Sequence, residues 1–279
     1  MARYGIAINS GRCMACYNCF MACKDEHCGY GSALSAAQPH EGQTWMNIIE
    51  WERGDRPGNV RTATVPTPCS HCQDPACEKA AKNGAVYRRP DGIVIIDPQK
   101  ARGQKAIADA CPIGAVYWNE EAQLPQKCTM CAELLDQGYQ KPRCVEACPS
   151  QALIFGDLDD PDSEINRAIS AGKVTQLKAL EGRETNVIHL NIPGIFLAGT
   201  VYLPDDEVAI GAQVTLTCLS CGTTFRTETN WAGDWIVDDL PENRDFEILI
   251  TYPGYRDIRL TMHTDKDRFT PETVMEPQV

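Results

Sequence analysis

Apolar residues alternate at Ile6 and Ile8 within Tyr4–Asn9, which predicts a short strand running into a cysteine at position 13. The same pattern returns in residues 84–87 and 150–155, where short apolar runs follow a Gly-Ala or a Cys-Pro turn. Between them lie a Gly/Ala/Ser-rich segment from residue 28 to 40, predicted as a surface loop, and a short amphipathic stretch at 45–52. Its Trp45 and Trp51 read as packing residues. Residues 131–144 hold Leu134-Leu135 and a turn at Gly138, a hairpin-like excursion. Ser163 reads as the N-cap of a short helix reaching about residue 171. From there the pattern changes to strands between Gly/Pro/Asn/Asp turns: 195–203, 213–218, 223–229, 235–237, 246–252 and 258–262. Val214, Leu216 and Cys218 share one face, and residues 230–235 read as a hairpin turn feeding a core Trp235. The expected class is α+β. A cysteine-rich region spans 1–160, a linker 161–193, and a small all-β sandwich or barrel 194–279.

The chain holds 15 cysteines, 13 of them before residue 150. The first group is Cys13-x2-Cys16-x2-Cys19-x3-Cys23, the spacing of bacterial ferredoxins, in which the fourth cysteine serves a different cluster from the first three. The second is Cys69-x2-Cys72-x4-Cys77, with Ala81 where a fourth ligand is due. Cys111 stands alone, and the last group is Cys128-x2-Cys131 with Cys144-x3-Cys148. Internal repeats explain the gaps. Gly-Ala-Val-Tyr recurs at 84–87 and 114–117, so Ala81 aligns with Cys111. Residues 96–101 align with 8–13, which puts Ala101, Gln104 and Ile107 at the first three positions of a group ending in Cys111.

Groups one and four thus form an outer ferredoxin-like module, and the other two form an inner module at about 66–118. Exchanging the fourth cysteine within each module gives three complete sets. Cluster one is Cys13, Cys16, Cys19 and Cys148; cluster two is Cys128, Cys131, Cys144 and Cys23; cluster three is Cys69, Cys72, Cys77 and Cys111. The fourth set, Ala81, Ala101, Gln104 and Ile107, has lost every ligand. Three [4Fe-4S] clusters are expected. Zinc, which favours two close pairs of thiolates, and a disulfide framework, which belongs to small secreted domains, fit this spacing less well; a three-iron cluster at one of the sites stays open.

The formal net charge of -12 argues against a nucleic-acid partner, and no run approaches the ~20 apolar residues of a membrane span. The first ten residues lack a signal-like apolar core, so a cytoplasmic location is expected; a partner bearing a twin-arginine signal would carry the folded pair out. No nucleophile–base set stands out, and no catalytic residue is assigned. His71 and Lys127 are candidates to tune a neighbouring cluster. His27 converges with no other histidine, Cys28 reads as free, and Cys218-x2-Cys221 reads as structural, free or bridged.

The four cysteine groups and the Gly156-Asp-Leu-Asp-Asp-Pro-Asp162 tail resemble the iron–sulfur β subunits of molybdopterin oxidoreductases of the dimethyl sulfoxide reductase family, over about residues 1–165. The chain is similar in particular to the transhydroxylase branch, which acts on pyrogallol and phloroglucinol. Trp45-Met46-Asn47-Ile48, Pro66-Thr67-Pro68-Cys69-x-His71-Cys72, Asn83-Gly84-Ala85-Val86-Tyr87, Tyr117-Trp118-Asn119-Glu120-Glu121 and Gln126-Lys127-Cys128-Thr129-Met130-Cys131-Ala132 carry that resemblance. It implies a C-terminal domain of Cna-B or transthyretin type. It also implies a large α subunit holding molybdenum or tungsten bis(molybdopterin guanine dinucleotide) and acting on polyhydroxylated aromatics, by transhydroxylation or reductive dehydroxylation. A free-standing polyferredoxin, a mainly structural scaffold, and a subunit serving a different substrate are the competing expectations.

Overall fold

The computed structural model describes residues 2–54 and 61–278, and the chain divides into two units. The first comprises Met1–Glu50 with Thr64–Ile192, the second Trp51–Ala63 with Pro193–Val279.

In the first unit, β1 (Tyr4–Asn9) leads to α1 (Asn18–His27); the chain then forms β2 (Met46–Arg53) and β3 (Arg61–Pro68), of which residues 51–53 and 61–63 belong to the second unit. The inner segment contains α2 (Ala76–Ala80), β4 (Val86–Arg88), β5 (Val94–Ile96), α3 (Ala106–Asp109) and β6 (Tyr117–Asn119). The outer segment resumes with β7 (Leu124–Gln126), α4 (Ala132–Asp136), α5 (Arg143–Glu146) and β8 (Leu153–Asp157). Strand β8 returns antiparallel to β1, with Ile6 opposite Phe155 and Ile8 opposite Leu153. The outer module therefore closes on itself across almost 150 residues of chain. The inner module closes its centre through the β4–β5 hairpin. Its outer edges do not pair with each other: β3 pairs with β2 and β6 with β7, so the strands on either side of the splice hold the insertion in place.

Helix α1 runs up to the start of the loop expected from residue 28. Cys19, Cys23 and His27 lie four residues apart and are 7%, 7% and 6% exposed, so one helical face is buried through its last turn. The loop begins at Cys28, as expected.

The segment expected as a linker is not one. Ser163 caps α6 (Glu164–Ala171), its hydroxyl accepting the Asn166 amide at 3.3 Å. Beyond α6, β9 (Val174–Thr175) pairs with β10 (Val187–Leu190), and β10 runs parallel to β1. The result is a four-stranded sheet in the order β8-β1-β10-β9. Val187 and Leu190 are buried there, so residues 161–192 belong to the cysteine-rich unit.

The second unit has β11 (Ile195–Tyr202), β12 (Gln213–Cys218), β13 (Thr224–Glu228), β14 (Asp234–Leu240), β15 (Asp245–Thr251), β16 (Ile258–His263), β17 (Arg268–Phe269) and β18 (Thr273–Val274). One sheet runs β14-β11-β17, with β18 also on β11; the other runs β13-β12-β15-β16. Their inner faces share an apolar core that includes Val214, Leu216, Cys218, Trp235 and Phe246, as alternation requires. The turn at 230–233 differs from expectation. Asn230 Oδ1 accepts the amides of Ala232 and Asp234, yet the turn joins β13 to β14, which lie in different sheets. It is a crossover, not a hairpin.

Candidate metal centres

Burial raises most of the cysteine thiols, and neighbouring thiols add to it. The Cys13 thiol is raised by burial and by Cys148 and Cys16. Burial pushes Cys19 up to about 11, and Cys13, Cys148 and Cys16 act in the same direction. Cys23, one helical turn further, responds first to burial and then to Cys128. Cys131 is raised by burial, then by Cys128 and Cys23, and Cys144 by burial, then by Cys131, Cys23 and Cys128. Cys77 is pushed by burial to about 11, with Cys69, Cys111 and Cys72 adding to it. The 13 cysteines outside the second unit carry no disulfide.

The local backbone accounts for this gathering. Ala15, Tyr17, His71, Met130 and Cys131 all have positive φ, with α1 and α4 starting right after Tyr17 and Cys131. These left-handed residues turn the chain sharply so that successive thiols face inward. Amide groups point at the sulfurs as well: Met130 N–H donates to Cys128 Sγ at 3.3 Å and Ala115 N–H to Cys111 Sγ at 3.2 Å. Among the described residues, no three His, Cys, Asp or Glu side chains close to the range of a single metal ion.

Two buried polar groups test whether these sites fit a cluster. Cys69, Cys72, Cys77 and Cys111 line one cavity together with His71. His71 Nδ1 accepts the Val94 amide at 3.1 Å, so the ring proton sits on Nε2. That Nε2 is buried with no protein partner. Burial also holds His71 neutral, well below the usual imidazole range. A donor left without a protein partner, on a residue that lines one cavity with four thiols, suits a cluster sulfur and is costly in an apolar pocket. Lys127, only 3% exposed, gives its ammonium to the carbonyls of Val94 and Cys128. It forms no ion pair among the described residues. A buried cation needs anionic charge, and cysteine-ligated iron–sulfur clusters supply it.

The four positions without ligands are also brought together. Ala101 and Ile107 are fully buried in one apolar cluster with Cys77, Val86, Val94, Ile96 and Val116, and Ala81 packs against it. Gln104 lies at the edge, bonded to the backbone around Lys82. Apolar side chains fill the position that the repeat assigns to a fourth cluster.

Residues 60–158 match the family model for a 4Fe-4S dicluster domain. Over 272 residues the chain is 36% identical to the pyrogallol hydroxytransferase small subunit of Pelobacter acidigallici, covering 91% of this chain and 92% of that protein. This chain is an iron–sulfur subunit of the dimethyl sulfoxide reductase family. It is likewise 31% identical over 250 residues to the iron–sulfur subunit of a putative dimethyl sulfoxide reductase of Halobacterium salinarum, covering 76% of this chain and 90% of that one. A sulfite dehydrogenase subunit of Allochromatium vinosum is 36% identical, but over only 61% of this chain and 75% of its own length. As a member of this family the chain holds iron–sulfur clusters in its cysteine-rich unit. Among its described residues no helix is long and apolar enough to cross a membrane.

In this iron–sulfur subunit, Cys28 is a free thiol 3.3 Å from His40 Nδ1, and Cys218 and Cys221 are joined as a disulfide with Cα atoms 5.6 Å apart. Sequence reasoning missed one functional neighbour, His27. Its Nε2 lies 3.7 Å from Cys131 Sγ, 104 residues away, and its ring stacks on Trp45. The only signal in the sequence was its four-residue spacing from Cys23 on a continued helix.

Proposed function

We propose that this chain is the electron-transfer subunit of a heteromeric molybdopterin enzyme. It relays single electrons through three [4Fe-4S] clusters to or from a molybdenum or tungsten bis(molybdopterin guanine dinucleotide) site in a large α subunit. Cys13, Cys16, Cys19 and Cys148 would hold cluster one, Cys128, Cys131, Cys144 and Cys23 cluster two, and Cys69, Cys72, Cys77 and Cys111 cluster three. Each cluster, when bound, supplies reversible one-electron storage. The protein supplies the thiolates, the amide donors, the His71 donor and the buried Lys127 charge.

The observation that supports this reading best is that thiols of neighbouring proposed sets act on one another. Cys144 feels Cys19 of the first set, and Cys128 feels Cys69 of the third. All four cysteines of the second set are buried, whereas Cys13, Cys16 and Cys148 of the first and Cys72 and Cys111 of the third are more open. This burial pattern suits a wire with a shielded centre and two accessible ends.

The match to the pyrogallol hydroxytransferase small subunit covers 91% of this chain, against 61% for the sulfite dehydrogenase subunit. This supports a partner acting on polyhydroxylated aromatics, by transhydroxylation or reductive dehydroxylation. A C-terminal domain of Cna-B or transthyretin type and a cytoplasmic location belong to the same reading. Native purification under anaerobic conditions, with metal and sulfide analysis, tests it. The expected result is a complex with a molybdopterin-bearing subunit and about twelve irons for each copy of this chain. Elution alone would overturn the subunit reading, and about sixteen irons would overturn the three-cluster reading.

A further inference from the structure

His27 is held at three points. Its Nδ1 lies 3.2 Å from Glu133 Oε1, its Nε2 lies 3.7 Å from Cys131 Sγ, and its ring stacks on Trp45 at 4.8 Å between centroids. Each neighbour is itself fixed. The Thr129 hydroxyl donates to Glu133 Oε2 at 3.1 Å, and Trp45 Nε1–H donates to Gln43 Oε1 at 3.1 Å. The Gln38 amide donates to the His27 carbonyl at 2.7 Å and anchors the end of α1. His27 is 6% exposed and the Glu133 side chain 13%, so water does not compete for these contacts.

The two ring nitrogens thus face a carboxyl group and a sulfur. An iron-bound thiolate has no proton to give, so it can only accept. A neutral ring with its proton on Nδ1 would turn the Nε2 lone pair against the sulfur lone pairs. A ring proton on Nε2, directed at Cys131 Sγ, avoids this and leaves Nδ1 to the Glu133 carboxyl group. We infer that Glu133 and His27 form a positioning pair that holds an N–H donor on the Cys131 sulfur and so raises the reduction potential of the cluster that Cys131 shares with Cys128, Cys144 and Cys23. A donor to a ligating sulfur draws off electron density and favours the more negative, reduced state.

The pair is separate from His71, which faces the set containing Cys69, Cys72, Cys77 and Cys111. The wire then has an individual hydrogen-bond donor at its shielded middle and another at one end. The middle cluster would stay reducible despite its burial, which otherwise penalises added charge.

This inference rests on the three-cluster reading, and the experiment separates the two. The complex is purified anaerobically as wild type, His27→Leu, Glu133→Leu and Glu133→Gln, and iron is measured before a redox titration followed by EPR. About twelve irons in the wild type upholds the cluster reading; any other count fails it independently of His27. With His27→Leu, one of the three cubanes becomes harder to reduce by about tenfold in its equilibrium constant, which is about 59 mV for one electron. The other two do not move. Glu133→Leu, which frees the tautomer, shifts the same cluster by less, and Glu133→Gln, whose amide still donates to Nδ1, shifts it least. Unchanged midpoints in His27→Leu with full iron overturn the inference, as does an equal shift in all three clusters. Should His27→Leu lose iron, Glu133→Leu decides: a shift confined to one cluster upholds the pair, and no shift overturns it.

Discussion

The side chain of Gln104 accepts a hydrogen bond from the backbone N–H of Lys82 at 2.7 Å. Its amide nitrogen donates to the Lys100 carbonyl, also at 2.7 Å. In the internal repeat, Gln104 stands at a second-cysteine position, and Lys82 directly follows the fourth-position Ala81. Direct hydrogen bonds and apolar packing join the two segments that the repeat aligns with cysteine-bearing ones. A lone thiol left at such a site would be buried without a metal, and a lone apolar residue among three thiols would fill space that a cluster needs.

Ile107 is the main filler of that site, fully buried among Val86, Ile96 and Val116. Ile107→Ala should destabilise the inner module by about 2–5 kcal/mol, the usual cost of truncating a buried aliphatic side chain. The variant is expected to melt earlier while keeping its iron, because no residue of a proposed cluster is altered. Thermal scans paired with iron analysis check both halves. A variant that melts like the wild type would show that the site is not packed as the structure indicates. Ala101→Cys alone should leave iron content unchanged, since three non-ligands remain beside it.

Lys127 gives a second prediction. Its ammonium is committed to two carbonyls and lowers the thiols of both Cys77 and Cys128, which belong to different proposed clusters. A cation there favours the more negative, reduced form of each. Lys127→Met should make two of the three clusters harder to reduce, on the order of tenfold each, or about 59 mV. Redox titration of the complex measures this. Equal potentials in variant and wild type would mean that the charge is screened and serves packing alone.

Arg89 grips Asp136 with two nitrogens, at 2.6 and 2.9 Å, and also contacts Asp91. That hydrogen bonding holds the Asp136 carboxyl below its ordinary range. A depressed carboxylate contributes its full stability above the unfolded value, near 3.9, and loses it as pH falls through the folded value. Asp136→Asn should therefore cost less than about 1 kcal/mol at neutral pH, since the side chain is half exposed. The gap between variant and wild type should close below about pH 4. Comparing the two proteins at each pH removes the effect of acid on the clusters, which is common to both.

Membership of an iron–sulfur family was legible in the sequence because ligand spacing is local. Gly84-Ala85-Val86-Tyr87, in frame with residues 114–117, also aligned Ala81, Ala101, Gln104 and Ile107, which the structure places near one another. What could not be read was long-range. Strand β10 is four residues long and interrupted by His189, and its pairing with β1 depends on a partner some 180 residues earlier. The Asn230 turn has ordinary local chemistry, but nothing local says that its two strands enter different sheets. His27 is the sharpest case. No spacing rule links it to Cys131, and only the packing of α1 against α5 and the loop before α4 brings them together.

The second unit offers a test independent of the clusters. Gly199 lies opposite Trp235 in the β11–β14 pair, and a β-carbon built there would fall 2.1 Å from Thr270 Oγ1 and 2.9 Å from Trp235 Nε1. Both neighbours are almost fully buried, at 1% and 2% exposure, so neither can swing into solvent. Glycine is required here by close approach and not by backbone conformation. Gly199→Ala should destabilise the β unit by about 1–3 kcal/mol, the range for overpacking a filled core. Limited proteolysis should then cut the chain within residues 193–279 while iron content and the EPR signals of the cysteine-rich unit stay at wild-type values. Resistance to cleavage equal to the wild type would mean that the two sheets can separate to admit a methyl group, and the core between them would be looser than its buried tryptophan implies.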